Sequence, residues 1–235
     1  MFYAGEFGAK QDFSYVENLY RVMDKLDERN SNIPLIQAIS GENVDMNKVN
    51  QLLKDPKINV NQVDYAGNTP LHFAGYEDAK LVQLLLAAGA DVNAKDQYGS
   101  TPLLIAIKEH NHEVVKLLLD AGADVNISEQ WGDTPLLIAL KENNNEVAKL
   151  LLKAGAKVNV ANQFGTTPLY FAIIHGADEI VKMLIDAGVN VKDQCFEPLD
   201  VAISKPLSLA SAIGLDGSKV NIVQLLYDAG ASYLK

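Results

Sequence analysis

A six-residue segment that recurs at a nearly constant interval constrains the fold of this chain more than any other feature. The segment Thr-Pro-Leu-x-x-Ala begins at Thr69, Thr101, Thr134 and Thr167, with start-to-start spacings of 32, 33 and 33 residues. An Ala-Gly pair keeps the same interval, at residues 88–89, 121–122, 154–155 and 187–188. Because two separate markers share one period, we infer tandem copies of a single structural unit.

Each unit has the pattern of two short helices. Thr101 can cap the first helix with its hydroxyl, and Pro102 occupies the first helical position, where its missing N–H costs nothing. Apolar residues recur at helical spacing over 103–107, and the run 114–119 predicts a second helix too apolar to be exposed. Gly122 can take the positive φ of a helix C-terminus. A helix pair of this size cannot bury its own apolar face, so we predict that successive pairs stack.

This unit of about 33 residues resembles the ankyrin repeat, in which T-P-L-x-x-A is followed by G-A-D-V-N. The second motif is complete at residues 89–93 and 122–126, and Lys157 replaces its aspartate in 155–159. The resemblance covers roughly residues 33–235. It implies an all-α solenoid of stacked helix-turn-helix units with β-hairpin-like connecting loops. We expect an N-terminal capping helix over 1–32 and about six repeats, at 33–57, 58–90, 91–123, 124–156, 157–189 and 190–235, the last irregular with an insertion.

Charge and composition argue against several classes of partner and site. The net charge is −10, from 30 acidic and 20 basic residues, which disfavours a nucleic-acid partner. No stretch approaches the ~20 apolar residues of a membrane-spanning helix, and the N-terminus lacks the basic and apolar regions of a secretory signal. Cys195 is the only cysteine, so neither an internal disulfide nor a cysteine-based zinc site is available. We therefore expect a monomeric, cytoplasmic protein, or one in the host cytosol if it is a secreted effector.

Candidate catalytic or metal-binding residues are few and poorly supported. His72 lies inside the repeated motif, where a structural role is expected, and His110 and His112 are two residues apart and would point to different sides of a helix. No third-ligand motif accompanies that pair. Cys195 has no recognisable base nearby, and no glycine-rich phosphate loop is present. We predict no catalytic residue, no metal and no cofactor.

Asn93, Asn126 and Asn159 form a second recurring feature. Each follows a valine and lies eight residues after a leucine. In the family, asparagines of this context in animal cells resemble substrates of an asparaginyl hydroxylase. The alternative, which we favour, is that these side chains bridge backbone groups of the turn.

Binding of another protein is the function that the resemblance implies. In the family, partners contact the turn before the first helix and the outward residues of that helix, which line a concave face. When these family positions are transferred to this chain, the candidate partner-binding residues are Tyr65, Asn68, Tyr76, Gln97, Tyr98, Ser100, Lys108, Gln130, Trp131, Asp133, Lys141, Gln163, Phe164, Thr166 and Ile174.

Three aromatic residues stand out among these candidates. Tyr98, Trp131 and Phe164 occupy the same position of consecutive turns, each preceded by glutamine. Stacking would align them in a row, and aromatic side chains are typical energetic centres of interfaces. They could instead pack on one another and stiffen the turns. We favour the interface, because loop tips have little core to enter.

The function predicted from these features is that of a non-catalytic scaffold whose concave face and loop tips bind a partner protein. Its acidity suggests a partner with a basic patch. One alternative is a regulatory or targeting subunit, or a fragment, of an enzyme or signalling assembly, including a bacterial or parasite effector that acts on host proteins. Another is a structural spacer with no specific partner.

Overall fold

A computed structural model describes residues 33–40, 44–75, 79–191, 225–226 and 228–229. Ten α-helices lie entirely within these residues, and no β-strand is found there, which confirms the predicted all-α class. The helices are α1 (Pro34–Ile39), α2 (Met46–Leu52), α3 (Pro70–Ala74), α4 (Ala79–Ala87), α5 (Pro102–Lys108), α6 (His112–Asp120), α7 (Pro135–Lys141), α8 (Asn145–Lys153), α9 (Pro168–His175) and α10 (Asp178–Asp186).

These helices form five consecutive pairs, one in each of the first five predicted repeats. The expected N-terminal helix lies outside the described residues, as does almost all of the irregular sixth repeat. None of the helices in the described ranges is long and apolar enough to cross a membrane.

The helix ends follow the capping chemistry expected from the sequence. The Thr101 hydroxyl accepts a hydrogen bond from the N–H of Leu104 at 3.3 Å, and Pro102 is the first residue of α5. At the start of α6, the Asn111 side chain accepts from the N–H of Val114 at 3.2 Å. Gly122, directly after this helix pair, has φ 85°, so the predicted positive-φ position is confirmed.

Stacking of the pairs builds one continuous core. The first helices α1, α3, α5, α7 and α9 contact one another in series, and the second helices α4, α6, α8 and α10 do the same. Ala74, Ala106 and Ala139 lie in first helices and are completely buried, and a small side chain lets neighbouring backbones approach. The core runs from Leu35 to Leu226. Full burial of one large apolar side chain contributes about 1.5–3 kcal/mol, and the stack repeats this in every unit.

His72 joins two successive units, as its place in the motif predicts. The N–H of Thr69 donates to Nδ1 of the imidazole at 3.1 Å, and the carbonyl oxygen of Ser100 lies 3.1 Å from Nε2. Because Nδ1 accepts, we assign the proton to Nε2, which donates to Ser100. Burial lowers the pKa of His72 below its ordinary value of 6.5, although the hydrogen bond to Ser100 opposes this effect. The neutral imidazole is therefore a structural bridge between repeats.

Candidate functional site

Four hairpin-like turns, here called the fingertip turns, precede the first helices α3, α5, α7 and α9. They comprise residues 64–68, 96–100, 129–133 and 162–166. In the second, the N–H of Asp96 donates to the carbonyl oxygen of Ser100 and the N–H of Gly99 donates to that of Asp96, both at 3.0 Å. The Asp96 carboxylate accepts from the N–H groups of Tyr98 and Ser100 at 2.8 and 2.7 Å. The turn thus satisfies its own polar groups without using the Tyr98 ring.

Backbone hydrogen bonds connect each fingertip turn to the next. The N–H groups of Gln97, Gln130 and Gln163 donate to the carbonyl oxygens of Ala66, Tyr98 and Trp131 at 2.8, 2.8 and 3.0 Å. Contact between turns is close, since a β-carbon on Gly132 would lie 3.2 Å from the Cα of Asn162. The spacing of the turns is therefore fixed before any partner binds.

Exposed aromatic rings follow this line of turns. Tyr98, Trp131 and Phe164 expose 50%, 51% and 72% of their surface, and Tyr65 exposes 55%. Ring contacts in the described part of the chain involve Tyr170, Phe171 and His175, not these four rings. We call the four exposed residues the aromatic row. Val63, at 48% exposure, extends the row. A large apolar residue at a position where later units have Lys95, Ser128 and Ala161 is the sequence feature that indicates it.

Other predicted site residues support the turns from inside. Ser100 and Asp133 are buried, at 7% and 5% exposure, so their side chains do not lie on the proposed surface. Asp133 accepts from Nδ2 of Asn162 in the next turn at 2.7 Å. Asn68 and Thr166 are partly buried at the equivalent position. This position, directly before the capping threonine, therefore shapes the turn.

The remaining predicted residues vary in exposure. The three glutamines Gln97, Gln130 and Gln163 are exposed, and Ile174 is partly buried at the end of α9. Gln163 also donates through Nε2 to the carbonyl oxygen of Gln130 at 2.6 Å. Tyr76 lies outside the described residues.

Two of the first helices end in a lysine. Lys108 and Lys141 are the last residues of α5 and α7, and both are exposed. Nζ of Lys108 donates to Oε2 of Glu129 in the next fingertip turn at 2.6 Å. No ion pair of Lys141 occurs within the described ranges.

The recurring asparagines bridge neighbouring repeats. Asn93 and Asn126 accept from the N–H groups of Asp124 and Lys157, both at 2.8 Å. Asn159 accepts from the N–H of Asn190 at 2.7 Å and donates to the carbonyl oxygen of Gly188 at 3.0 Å. This agrees with the turn-bridging interpretation. Hydroxylation of these residues stays a hypothesis.

The histidines that could suggest a metal are not gathered into a ligand set. His110 has a positive φ of 56° between α5 and α6. Nε2 of His112 lies 2.8 Å from Nδ2 of Asn144, the residue that caps α8. Across the described ranges, no group of three or more potential metal-binding side chains occurs.

Comparison with known proteins agrees with the helix pairs and their period. The pattern of the family described as "Ankyrin repeats (3 copies)" matches residues 3–96, 75–162, 103–195 and 155–234. This chain belongs to the ankyrin-repeat family. Members of this family are generally protein–protein interaction modules and are typically not catalytic.

Several curated proteins resemble parts of this ankyrin-repeat chain. Putative ankyrin repeat protein YahD of Escherichia coli is 40% identical over 72 residues, which is 28% of this chain and 36% of the relative. The B-cell lymphoma 3 protein homolog of Mus musculus is 39% identical over 85 residues, 36% of this chain and 18% of the relative. Putative ankyrin repeat protein FPV230 of Fowlpox virus is 36% identical over 61 residues, 26% and 32% of the two chains. The alignments thus span about a third of these relatives, or less.

Proposed function

We propose that this ankyrin-repeat chain is a non-catalytic scaffold that binds a partner protein along the aromatic row. One observation carries the proposal: Tyr65, Tyr98, Trp131 and Phe164 are each at least half exposed, on turns that hydrogen-bond to one another. Large aromatic side chains that remain exposed in a line mark an interaction surface more often than they stabilise a fold.

Rigidity of the turns supports this function. Binding normally costs free energy for ordering loops and side chains, and a preformed surface reduces that cost. The carboxylate of Asp96 and the cross-turn bond from Gln130 to Tyr98 already order the backbone that carries the Tyr98 ring. The partner therefore meets three rings, of Tyr98, Trp131 and Phe164, whose spacing is set by the repeat.

The expected basic patch on the partner stays a prediction and has little local support. Several carboxylates are engaged within the protein: Asp64, Asp96 and Asp124 accept backbone N–H groups. Glu129 pairs with Lys108. We therefore propose that apolar contact with the aromatic row, more than the net charge, selects the partner.

The alternative function, a targeting or regulatory part of a larger enzyme or signalling assembly, uses the same surface. It differs in what is attached to the repeats. The relatives described above extend well beyond the matched segments, which keeps this alternative open. A cytoplasmic location, or the host cytosol for an effector, is part of the proposal in either case.

A capture experiment with matched variants tests the proposal. Wild type, the triple variant Tyr98→Ala/Trp131→Ala/Phe164→Ala and the control Lys116→Ala, which alters an exposed residue of α6, are immobilised and incubated with source-cell lysate. We expect a protein that wild type and the control retain and the triple variant loses. Calorimetric titration with that protein after purification should reproduce the difference. Equal retention by folded forms of all three would overturn the proposal.

A further inference from the structure

One lysine that contacts a fingertip turn has its charge neutralised within the protein. Lys108, the last residue of α5, donates to Glu129 at 2.6 Å, and the Glu129 side chain is only 9% exposed beneath it. Glu129 belongs to the fingertip turn that carries Trp131. At this step of the stack, the turn itself supplies a carboxylate for the lysine.

The next step of the stack lacks that carboxylate. Lys141 lies 33 residues after Lys108, as the last residue of α7, and Asn162 lies 33 residues after Glu129. The Asn162 side-chain oxygen accepts from the N–H groups of Phe164 and Thr166 at 3.0 Å each, and its amide donates to Asp133. Asn162 is uncharged and already bonded, so it cannot replace Glu129 as an ion-pair partner.

An adjacent glutamate does not compensate for this difference. Glu142 follows Lys141 and is exposed, but Glu109 follows Lys108 in the same way. Lys108 nevertheless pairs with Glu129 of the next turn. Glu146, at the start of α8, is bonded to Lys149. No ion pair neutralises the charge of Lys141 among the described residues. Its equivalence to Lys108 places it next to the turn that carries Phe164.

We propose that the partner supplies a carboxylate to Lys141, beside an apolar side chain that packs on Phe164 or Trp131. The occupant is a linear peptide segment that combines an aspartate or glutamate with apolar residues, and this inference rests on the proposed function. An ammonium group beside large apolar rings is partly shielded from water once the rings are covered, which strengthens its attraction to a carboxylate. The rings then supply most of the affinity and select apolar residues, and Lys141 adds a preference for an acidic residue beside them.

Selection from a phage-displayed library of random linear peptides tests the proposal on the full chain. Three targets are compared: wild type, Lys141→Glu and the double variant Trp131→Ala/Phe164→Ala. Wild type should enrich peptides that pair an acidic with an apolar residue. Lys141→Glu should enrich lysine or arginine at the acidic position, and the double variant should lose the enriched peptides.

Calorimetric titration of a selected peptide then isolates the charge pair. Changing its acidic residue to the amide should weaken binding to wild type about tenfold, between the effects of exposed and buried charge pairs. The same change should have little effect on binding to Lys141→Met. Circular dichroism confirms that each variant is folded.

Two results would overturn the inference, and they are distinguishable. Peptides that depend on Trp131 and Phe164 but show no acidic preference, or are unchanged by Lys141→Glu, would eliminate the role of Lys141 and leave the proposed function standing. Enrichment of no peptide that depends on those rings would overturn the inference that the occupant is a linear peptide, whereas the proposed function is decided by the capture experiment with the triple variant.

Discussion

Apolar side chains occur in two regions of this protein with opposite exposure, although they are close in sequence. Leu103, Leu136 and Leu169 lie in first helices and are completely buried. Five residues earlier in each case, Tyr98, Trp131 and Phe164 lie in fingertip turns and are at least half exposed. The same opposition recurs in three successive repeats, so position in the repeat, not hydrophobicity alone, decides what is buried. Apolar residues that the stack does not bury are available for binding.

The largest loss of stability is expected from a substitution in the buried core. Leu136→Ala removes a completely buried side chain between stacked helices and leaves a cavity. We expect the free energy of unfolding to fall by about 2–5 kcal/mol. Urea titration followed by circular dichroism measures this, with Val63→Ala, an exposed position, as the control. A loss no greater than that of the control would mean that burial in the stack is not what stabilises it.

A smaller effect is expected where the turns approach each other. Gly132 has φ 79°, and an added β-carbon would lie 3.2 Å from the Cα of Asn162. Gly122 has φ 85° with nothing within 4 Å of such a carbon. Gly122→Ala should therefore lose only about 1 kcal/mol from the left-handed backbone, and Gly132→Ala about 2 kcal/mol or more.

Thermal and urea unfolding of both glycine variants provide the measurement. Because both positions have positive φ, the difference between the two losses reports the closeness of the turns. Equal losses would show that the fingertip turns can move apart freely, contrary to a preformed aromatic row.

The pH dependence of stability separates the unit that contains His72 from those that contain leucine at the same position. Burial holds the folded-state pKa of His72 below 6.5, its ordinary value. Between those two pKa values the unfolded chain binds more protons than the folded protein. The contribution of neutral His72 to the free energy of unfolding is therefore complete above about pH 6.5 and is lost as the pH falls through that window. His72→Leu, which copies Leu104, should flatten the dependence.

The two proteins, wild type and His72→Leu, are compared by their urea midpoints, measured from pH 7.5 downward in steps of about half a pH unit. His112→Leu, at an exposed position, is the control. If wild type and His72→Leu lost stability in parallel below pH 6.5, protonation of the bridge between Thr69 and Ser100 would not be the cause.

Much of the fold could be predicted from the sequence because the signals are local and repeated. Thr101 specifies a helix start through its side-chain hydroxyl and Pro102 through its fixed φ, and Gly122 specifies an end. The repetition of these signals over four units makes stacking the only way to bury the apolar stripes. The first and last segments of the chain depart from the pattern, and the expectations for them lie outside the described residues.

The site was less predictable because side-chain direction in the turns depends on contacts between repeats. Ser100 and Asp133 were expected on the surface, yet Asp133 is buried against Asn162, 29 residues later. Net charge was similarly uninformative, since carboxylates such as that of Asp96 are occupied by turn N–H groups. The pairing of Lys108 with Glu129 links residues 21 apart, which no local motif indicates. The position of the aromatic residues in the repeat, by contrast, does predict that they are exposed.

The smallest effect on stability is expected from the largest side chain. Trp131→Ala removes more atoms than Leu136→Ala, yet about half of the Trp131 surface is already in contact with water and the ring has no stacking partner among the described residues. We expect the free energy of unfolding to change by less than about 1 kcal/mol. Binding of a partner captured by the wild type should weaken by about 2 kcal/mol or more, as is typical when a central aromatic residue is truncated. Urea titration and calorimetric titration of the same sample give both quantities. A large loss of stability with unchanged binding would mean that the aromatic row belongs to the fold, as the core leucines do, and the distinction between the two regions would be lost.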